Sequence, residues 1–271
     1  MFKHILIAHD LSHEADVALR RALQLANQHD AKLTLLHVLE GQQKGSALTS
    51  LKTAAEHVLG ERLASYSHSH ADVRLEQGKA NEVVLTLLGA GDIDLLVLGA
   101  HHKGRPEMFT GTNLDRLARQ SPVPVLLAVN EDDQVYQQAV VAIDSSLCAC
   151  HALQHAYQTL PADAQLHALN IFSTSSRLSK RDSEERLAMQ RVLIANLIED
   201  EASRLPKPGP QIDHEVIPGT LAGGLDSELA KRKPQLLALG RHGRGALAQA
   251  LLGSLAQHYL NKAPCDVLVV R

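Results

Sequence analysis

The chain of 271 residues lacks tryptophan and contains only four tyrosines and three phenylalanines. A core built with so few rings has to be aliphatic, and the aromatic platforms on which single-stranded nucleic acids stack are scarce. The net charge of -3, without a basic stripe, also argues against a DNA- or RNA-binding surface. Both shortages disfavour a nucleic-acid-binding protein.

Cysteine and long apolar runs are equally scarce. Three cysteines, an odd number, do not suggest a disulfide framework. No run approaches the roughly 20 apolar residues that span a membrane. A strand-like run, rather than a signal peptide, follows Met1. We therefore expect a chain that works in the reducing cytoplasm.

What the sequence does contain is a repeat. Apolar runs in the first half recur in the second half in the same order and at similar spacing, which indicates duplication of a domain of about 135 residues. We assign domain 1 to residues 1–132 and domain 2 to residues 135–271. The matched segments are Lys3–Ser12 with Ala139–Ser146, Leu33–Val38 with Gln165–Ile171, Asp94–Gly99 with Gln235–Gly240, and Ser121–Leu127 with Ala263–Val269.

The pattern within each half predicts an α/β fold. The apolar runs are continuous, as in strands that are buried on both faces of a parallel sheet. Longer segments between them carry apolar residues at helical spacing. We therefore predict, in each half, a five-stranded parallel sheet flanked by helices. Ligands bind such sheets at the carboxyl ends of the strands, where Asp10, Gly99, Asp144 and Gly240 lie. The helical positions are Ala15, Leu19, Ala22, Leu23 and Ala26, and in the second half Leu187, Ile194, Leu197, Ile198 and Leu205.

A glycine-rich loop follows one of these strands in the second half. Gly240, Gly243 and Gly245 let backbone N–H groups approach a polyphosphate without Cβ interference. Ser254 and Gln257 have the Ser-x-x-Gln spacing of a capping box, which predicts that a helix begins there. A helix N-terminus favours an anion. The alternative is a surface turn followed by an ordinary capped helix.

The spacing Gly240-x2-Gly243-x9-Gly253-Ser254 resembles the nucleotide signature of the universal stress protein family. Asp144 and the closing run Ala263–Val270 resemble the family too, and the resemblance covers the chain twice. It implies a tandem member with two Rossmann-like (adenine nucleotide alpha hydrolase-like) domains. The implied ligand is ATP or another adenine nucleotide, held without rapid turnover, with Mg²⁺ as an optional companion.

The resemblance also implies an assembly and a set of contacts. The last strands, Val123–Val129 and Val267–Val270, would pair the two domains as an intramolecular pseudo-dimer, and homodimerisation stays open. Asp144 would approach the adenine, and Ile171 would contact the base. Gly253, Ser254 and Leu255 would offer backbone N–H groups to the phosphates. The Ser254 hydroxyl would serve either a phosphate or the helix cap. A valine at 243 would obstruct the phosphates and would require φ values that it cannot reach. The expected nucleotide contacts are Asp144, Ile171, Gly240, His242, Gly243, Arg244, Gly245, Gly253, Ser254 and Leu255.

The first half departs from this pattern. His102 stands where the second half has Gly243, the interval to Gly111 is one residue shorter, and Pro106 stiffens the loop. A Cβ at the second glycine position blocks close backbone approach. We therefore expect the first domain to bind nucleotide weakly, differently or not at all. Its weaker candidate contacts are Asp10, Val38, Gly99, Gly111, Thr112 and Asn113.

Three functions remain open on these observations. The leading hypothesis is a binding module without catalytic residues, an ATP-responsive stress regulator whose nucleotide state alters contacts with an unidentified protein. An enzyme, either a slow ATPase or an adenylating type, is the alternative, with His242 as a candidate base. A metal- or redox-sensing module would use Cys148, Cys150, His151 and His155. These four lack standard zinc-finger spacing, so packed side chains are the simpler explanation and no metal ligand is assigned.

Overall fold

The computed structural model describes residues 1–66, 71–100, 111–173, 179–243 and 252–271, with the backbone alone at 111 and 112. These residues form two compact units, Met1–Gln134 and Val135–Arg271. No helix in the described ranges is both long and apolar enough to cross a membrane.

The first unit alternates strands and helices. Its strands lie in the order β3-β2-β1-β4-β5, and all the strand pairs between them are parallel. In chain order the elements are β1 (His4–Ala8), α1 (His13–His29), β2 (Lys32–Leu39), α2 (Gly45–Ala64), β3 (Ala71–Gln77), α3 (Ala80–Leu88), β4 (Leu95–Gly99), α4 (Gly111–Gln120) and β5 (Val125–Ala128).

The second unit repeats this topology. Its strands lie in the order β8-β7-β6-β9-β10, again with parallel pairs throughout. The predicted five-stranded parallel sheet in each half is therefore confirmed. The elements are β6 (Gln138–Ala142), α5 (Leu147–Thr159), β7 (Gln165–Phe172), α6 (Lys180–Arg204), β8 (Gln211–Pro218), α7 (Leu221–Arg232), β9 (Leu236–Gly240), α8 (Ser254–Asn261) and β10 (Asp266–Val270).

Aliphatic side chains fill the cores, as the scarcity of rings predicts. All five residues of β1 and all five of β10 are buried, which explains why these runs are continuous rather than alternating. The five helical positions predicted in α1 are buried as well. In α6, Ile194 and Ile198 are buried, whereas Leu187 and Leu197 are only half-buried. Leu205 is buried just beyond the end of that helix.

One polar contact lies deep in the second unit. The Tyr136 hydroxyl donates to Oδ2 of Asp266 at 2.5 Å, and both residues are fully buried. Tyr136→Phe removes this donor and leaves a buried carboxyl group with one partner fewer. We expect the free energy of unfolding of the second unit to fall by about 1.5 kcal/mol.

Hydrogen exchange of the β10 amides in urea reports on this unit. Tyr66→Phe, which removes a hydroxyl from a partly exposed tyrosine of the first unit, is the control and should leave β10 exchange unchanged. Equal protection of β10 in Tyr136→Phe and the unsubstituted protein would contradict the assigned role.

Candidate functional site

A cavity of about 230 Å³ opens at the carboxyl ends of the strands of the second unit. Its walls come from the ends of β6, β7 and β9 and from the first turns of α5, α7 and α8. This is the edge at which ligands bind in parallel α/β sheets. Aliphatic groups form much of the lining, and Asp144, Ser146, Asn170, His242 and Ser254 supply polar ones.

Asp144 is held by a turn that both units share. Its Oδ1 accepts the N–H of Ser146 at 3.0 Å, and the Ser146 hydroxyl then accepts the Ala149 N–H as the N-cap of α5. In the first unit, Asp10 and Ser12 make the same bonds ahead of α1. The residue between the two has a left-handed φ in each unit, 68° at Leu11 and 61° at Ser145. Non-glycine residues adopt this conformation rarely, so its repetition marks a structurally demanding turn.

Gly243 lies against this carboxylate. A Cβ built on Gly243 would collide with Oδ2 of Asp144, and the next nearest atom of the described residues is Cγ of the same side chain at 3.6 Å. The glycine is therefore required by the space beside Asp144. Its φ is not left-handed, so the expectation that valine at 243 fails through inaccessible φ values is wrong. The expected steric effect remains, and the group that a valine side chain would strike is the Asp144 carboxylate.

Gly240 has a different role from the one that the motif suggests. A Cβ at this position would lie 3.0 Å from the Ala149 nitrogen and from the Cys148 carbonyl carbon. In the first unit, a Cβ at Gly99 would collide with the Glu14 carbonyl group of α1. Each glycine thus allows a helix start to pack closely on a strand end. Gly240 also lines the cavity.

The start of α8 corrects two expectations. The helix begins at Ser254 with Gly253 as its N-cap, and none of the described side chains caps it. The capping box is therefore wrong, because Ser254 is the first helical residue rather than the cap. The Gly253 N–H donates to the Arg241 carbonyl at 2.8 Å, so it is not directed at a ligand. The N–H groups of Ser254 and Leu255 lie in the first turn, where an α-helix offers them no carbonyl.

His242 and Cys148 meet at the wall of the cavity. Both ring nitrogens of His242 lie near the Cys148 sulfur, Nδ1 at 3.6 Å and Nε2 at 3.7 Å. Cys148 is 7% exposed, and His242 itself lines the cavity. This imidazole is the cavity's candidate proton acceptor.

Eight of the ten contacts expected in the second half line this one cavity. Arg244 and Gly245 lie outside the described residues. Sequence reasoning missed Asn170, whose Nδ2 donates to the Ile143 carbonyl at 2.6 Å and fixes the end of β7 beside that of β6. It also missed Ser146 and Leu221. Ser146 could have been found from its place two residues after Asp144, where it can both bond the carboxylate and cap α5.

The first-half candidates have other partners. The Asn113 amide oxygen accepts from Nδ2 of Asn81 at 2.6 Å, which joins α4 to α3. Val38 is buried at the end of β2, and Asp10 is bonded by Ser12. Gly111 and Thr112 begin α4. His102 and Pro106 lie outside the described residues, so the weaker binding expected of this half stays a prediction.

A buried histidine stands in the first unit where the second has Ile143. The Leu11 N–H donates to Nδ1 of His9 at 3.0 Å, which leaves Nε2 to donate to Asp16 at 3.1 Å. Arg62 approaches the same Asp16 oxygen at 2.6 Å. Burial, helped by the Arg62 charge, lowers the pKa of His9 to about 4 despite the attraction of Asp16. At this position the first unit therefore has a neutral imidazole, which contacts the Asp16–Arg62 ion pair.

The cysteine–histidine cluster of α5 does not converge. His151 bonds the Arg271 carbonyl through Nδ1 at 2.7 Å. Burial and neighbouring Glu201 raise the pKa of Cys150, and a protonated thiol is a poor metal ligand and a poor nucleophile. Among the described residues, the group that brings three metal-ligand atoms within 4.8 Å of one another is His167, Glu215 and Glu228. The four α5 residues are therefore not the metal-compatible set.

Comparison with known proteins matches both halves separately. The model of the universal stress protein family matches residues 1–128 and 136–271. A universal stress protein from Mycolicibacterium smegmatis is 25% identical over 288 residues, covering 98% of this chain and 96% of that protein. A universal stress protein A homolog from Haemophilus influenzae is 29% identical over 122 residues, covering 41% of this chain and 86% of the homolog.

A solved structure has the same fold along the whole chain. The crystal structure of a universal stress protein from Archaeoglobus fulgidus superposes with a TM-score of 0.70. It covers 99% of this chain and 98% of its own, at 16% identity. At that identity the likeness shows the fold alone.

Proposed function

Because this chain belongs to the universal stress protein family, we propose that the cavity of its second unit binds an adenine nucleotide. One observation carries the proposal: a carboxylate, a glycine packed against it and a helix N-terminus line a single cavity at the carboxyl edge of the sheet. ATP is the expected ligand, with Mg²⁺ as an optional companion. The site would act in regulation, through contacts with a protein that recognises the nucleotide-bound form.

The charges of the cavity suggest how the nucleotide would lie. A carboxylate repels phosphate but accepts N–H and O–H donors, so Asp144 suits an adenine amino group or a ribose hydroxyl. The N–H groups of Ser254 and Leu255, at the positive end of α8, suit phosphate oxygens. His242 lies between these two regions in sequence and lines the same cavity. The base would enter among the aliphatic groups of Ile143, Leu169 and Ile171.

The size of the cavity agrees with a partly enclosed ligand. Small-molecule sites usually enclose about 300 Å³ or more, whereas the described walls enclose about 230 Å³. A base with its sugar would occupy this space, and the phosphates would extend along the α8 N-terminus. An exposed Ser254 agrees with a phosphate end that a protein partner can reach.

Titration of the full-length protein with ATP tests the proposal. We expect one strong site per chain, weakened about tenfold by Asp144→Ala, because a hydrogen bond to a charged group contributes about 1.5 kcal/mol or more. Asp10→Ala makes the same change at the corresponding turn of the first unit and should alter this affinity less than twofold.

The variants Asp144→Ala and Asp10→Ala also show which half of the chain holds the nucleotide. Equal losses in Asp144→Ala and Asp10→Ala, or two sites of equal affinity, would contradict a nucleotide held mainly in the second half. The absence of binding to ATP, ADP and AMP would remove the proposed function altogether.

Slow ATP hydrolysis is the second candidate function, and the place of His242 in the cavity favours it. The imidazole could accept a proton from an attacking water. Phosphate release by the unsubstituted protein and by His242→Gln separates the two functions. Turnover that His242→Gln removes while ATP still binds would identify an enzyme, whereas binding without turnover would identify a binding module.

A further inference from the structure

A second polar cluster lies at the opposite edge of the same sheet, near the amino ends of its strands. Here β6, β7 and β8, with the end of α7, line a cavity of about 130 Å³. His167 of β7 and Asp213 of β8 lie side by side in the register of the sheet, and both line this cavity with Arg232. None of these three residues lines the candidate nucleotide cavity.

The imidazole of His167 is buried and held in one orientation. The residue is 6% exposed, and its Nδ1 lies 2.7 Å from Oδ1 of Asp213. With the proton on Nδ1 donated to that carboxylate, Nε2 presents a lone pair. Nε2 is itself buried and has no hydrogen-bond partner among the described residues. A buried polar atom without a partner is costly, which calls for a ligand or a functional explanation.

Two carboxylates face this nitrogen. Oε2 of Glu215 lies 3.9 Å from Nε2, and one ligand atom from each of His167, Glu215 and Glu228 falls within 4.8 Å of the others. Glu228 is 7% exposed. Burial opposes its ionisation, but hydrogen bonds from Arg232 and Lys231 outweigh this and lower the pKa of its carboxyl group. An ionised carboxylate therefore lies beside the imidazole lone pair.

The distances are close to those of a coordinated cation. Zinc binds histidine nitrogen and carboxylate oxygen at about 2.0–2.2 Å, so tetrahedral ligand atoms lie roughly 3.4 Å apart. A bound cation would therefore draw the three ligand atoms closer together than the 3.9 Å between His167 and Glu215 and the limit of 4.8 Å for the whole group. A carboxylate that accepts the other ring N–H is the usual support of a metal-binding histidine, and Asp213 holds this position.

Arg232 is the competitor for the same carboxylates. Its Nε donates to Glu228 at 2.8 Å and its Nη2 to Glu215 at 2.9 Å. The side chain is 28% exposed, so it can move to solvent when a cation takes its place. The cluster contains three acidic residues, Asp213, Glu215 and Glu228, and two basic ones, Lys231 and Arg232. One negative charge is therefore left without a positive partner.

We propose that His167, Glu215 and Glu228 bind a divalent transition-metal cation of the zinc type, which displaces Arg232 from the two carboxylates. Asp213 is a positioning residue that fixes the imidazole. The first unit lacks this arrangement in its described residues: Thr34 takes the place of His167 and bonds His4 at 2.8 Å, and Arg74 takes that of Glu215. The site belongs to the second unit.

Zinc titration of the full-length, untagged, chelator-treated protein tests the proposal by calorimetry. We expect one zinc per chain in the strongest class of sites, weakened at least tenfold by His167→Thr, which installs the residue of the first unit. His214→Thr is the matched control, because His214 is an exposed histidine of the neighbouring strand β8, and it should change the affinity less than twofold. Glu215→Gln alters an exposed side chain and should weaken zinc without affecting folding.

Arg232→Gln supplies a test in the opposite direction. Removal of the competing guanidinium should strengthen zinc binding several-fold, whereas a purely structural ion-pair cluster would give no such gain. Cobalt(II) should show the visible absorption of a low-coordinate site in the unsubstituted protein and lose it in His167→Thr. Equal weakening by His167→Thr and His214→Thr, weaker zinc binding in Arg232→Gln, or no zinc bound at all would overturn the proposal.

Discussion

Gly243→Val should weaken ATP binding by on the order of a hundredfold while the chain stays folded. The new Cβ would collide with Oδ2 of Asp144 and push the carboxylate away from the base or ribose. The loss of a hydrogen bond to a charged group, about 1.5–3 kcal/mol, corresponds to roughly tenfold to 150-fold in affinity, and the branched side chain narrows the cavity as well. The fold should survive because the colliding atom is the end of a side chain rather than backbone.

Calorimetric titration with ATP, paired with circular dichroism, measures both parts of this prediction. Gly219→Val is the matched control, since a Cβ at Gly219 would meet no atom of the described part of the chain within 4 Å. Gly219 lies in the same unit and should tolerate valine with little change in affinity. ATP binding of normal strength in a folded Gly243→Val protein would show that this loop is only a turn.

Acidification from pH 7 to pH 5 should destabilise the first unit by about 2 kcal/mol through His9 alone. Burial lowers the pKa of His9 to about 4 in the folded protein, against about 6.5 in an unfolded chain. Between pH 6.5 and pH 4, His9 is therefore protonated in the unfolded state but neutral in the folded state. The stability is present above pH 6.5 and is lost as the pH falls toward 4. Burial also lowers the pKa of His29 to about 4, which adds a loss of the same sign.

Hydrogen exchange of the β1 and β2 amides across this pH range measures the stability of the first unit. His9→Ile installs the residue that the second unit has at this position. It should reduce by about one the number of protons taken up on unfolding, and so lower the slope of stability against pH. His57→Gln, at a side chain that is 70% exposed, should leave it unchanged. An unaltered pH slope in His9→Ile would show that His9 does not remain neutral in the folded protein.

The cysteine–histidine spacing and the His167 cluster show why the fold was easier to predict than a site. Residues at i and i+4 share a helix face, so His151 and His155 were natural candidates, yet His151 bonds the Arg271 carbonyl instead. His167 is one histidine in an apolar strand and carries no spacing signal. Its partners lie on β8 and α7, almost 50 residues or more away in sequence. Only the packing of those elements brings the three together.

The sequence by itself determined the duplication, the parallel sheet in each half and the sheet edge at which the candidate cavity opens. These features follow from the local periodicity of apolar residues and from the order of the segments, and both can be read from one sequence. It also indicated Asp144, Gly243 and Ser254 as neighbours, through the resemblance.

Only the tertiary structure decided what the glycines of the motif do. Gly243 makes room for a carboxylate, Gly240 makes room for α5, and the Gly253 N–H bonds Arg241 rather than remaining free. Each of these roles depends on the distance between the glycine and an atom of another segment of the chain. At Gly243 and Gly240, that distance leaves no room for a Cβ. Residue spacing along the chain contains no information on such distances, because close packing between elements sets them.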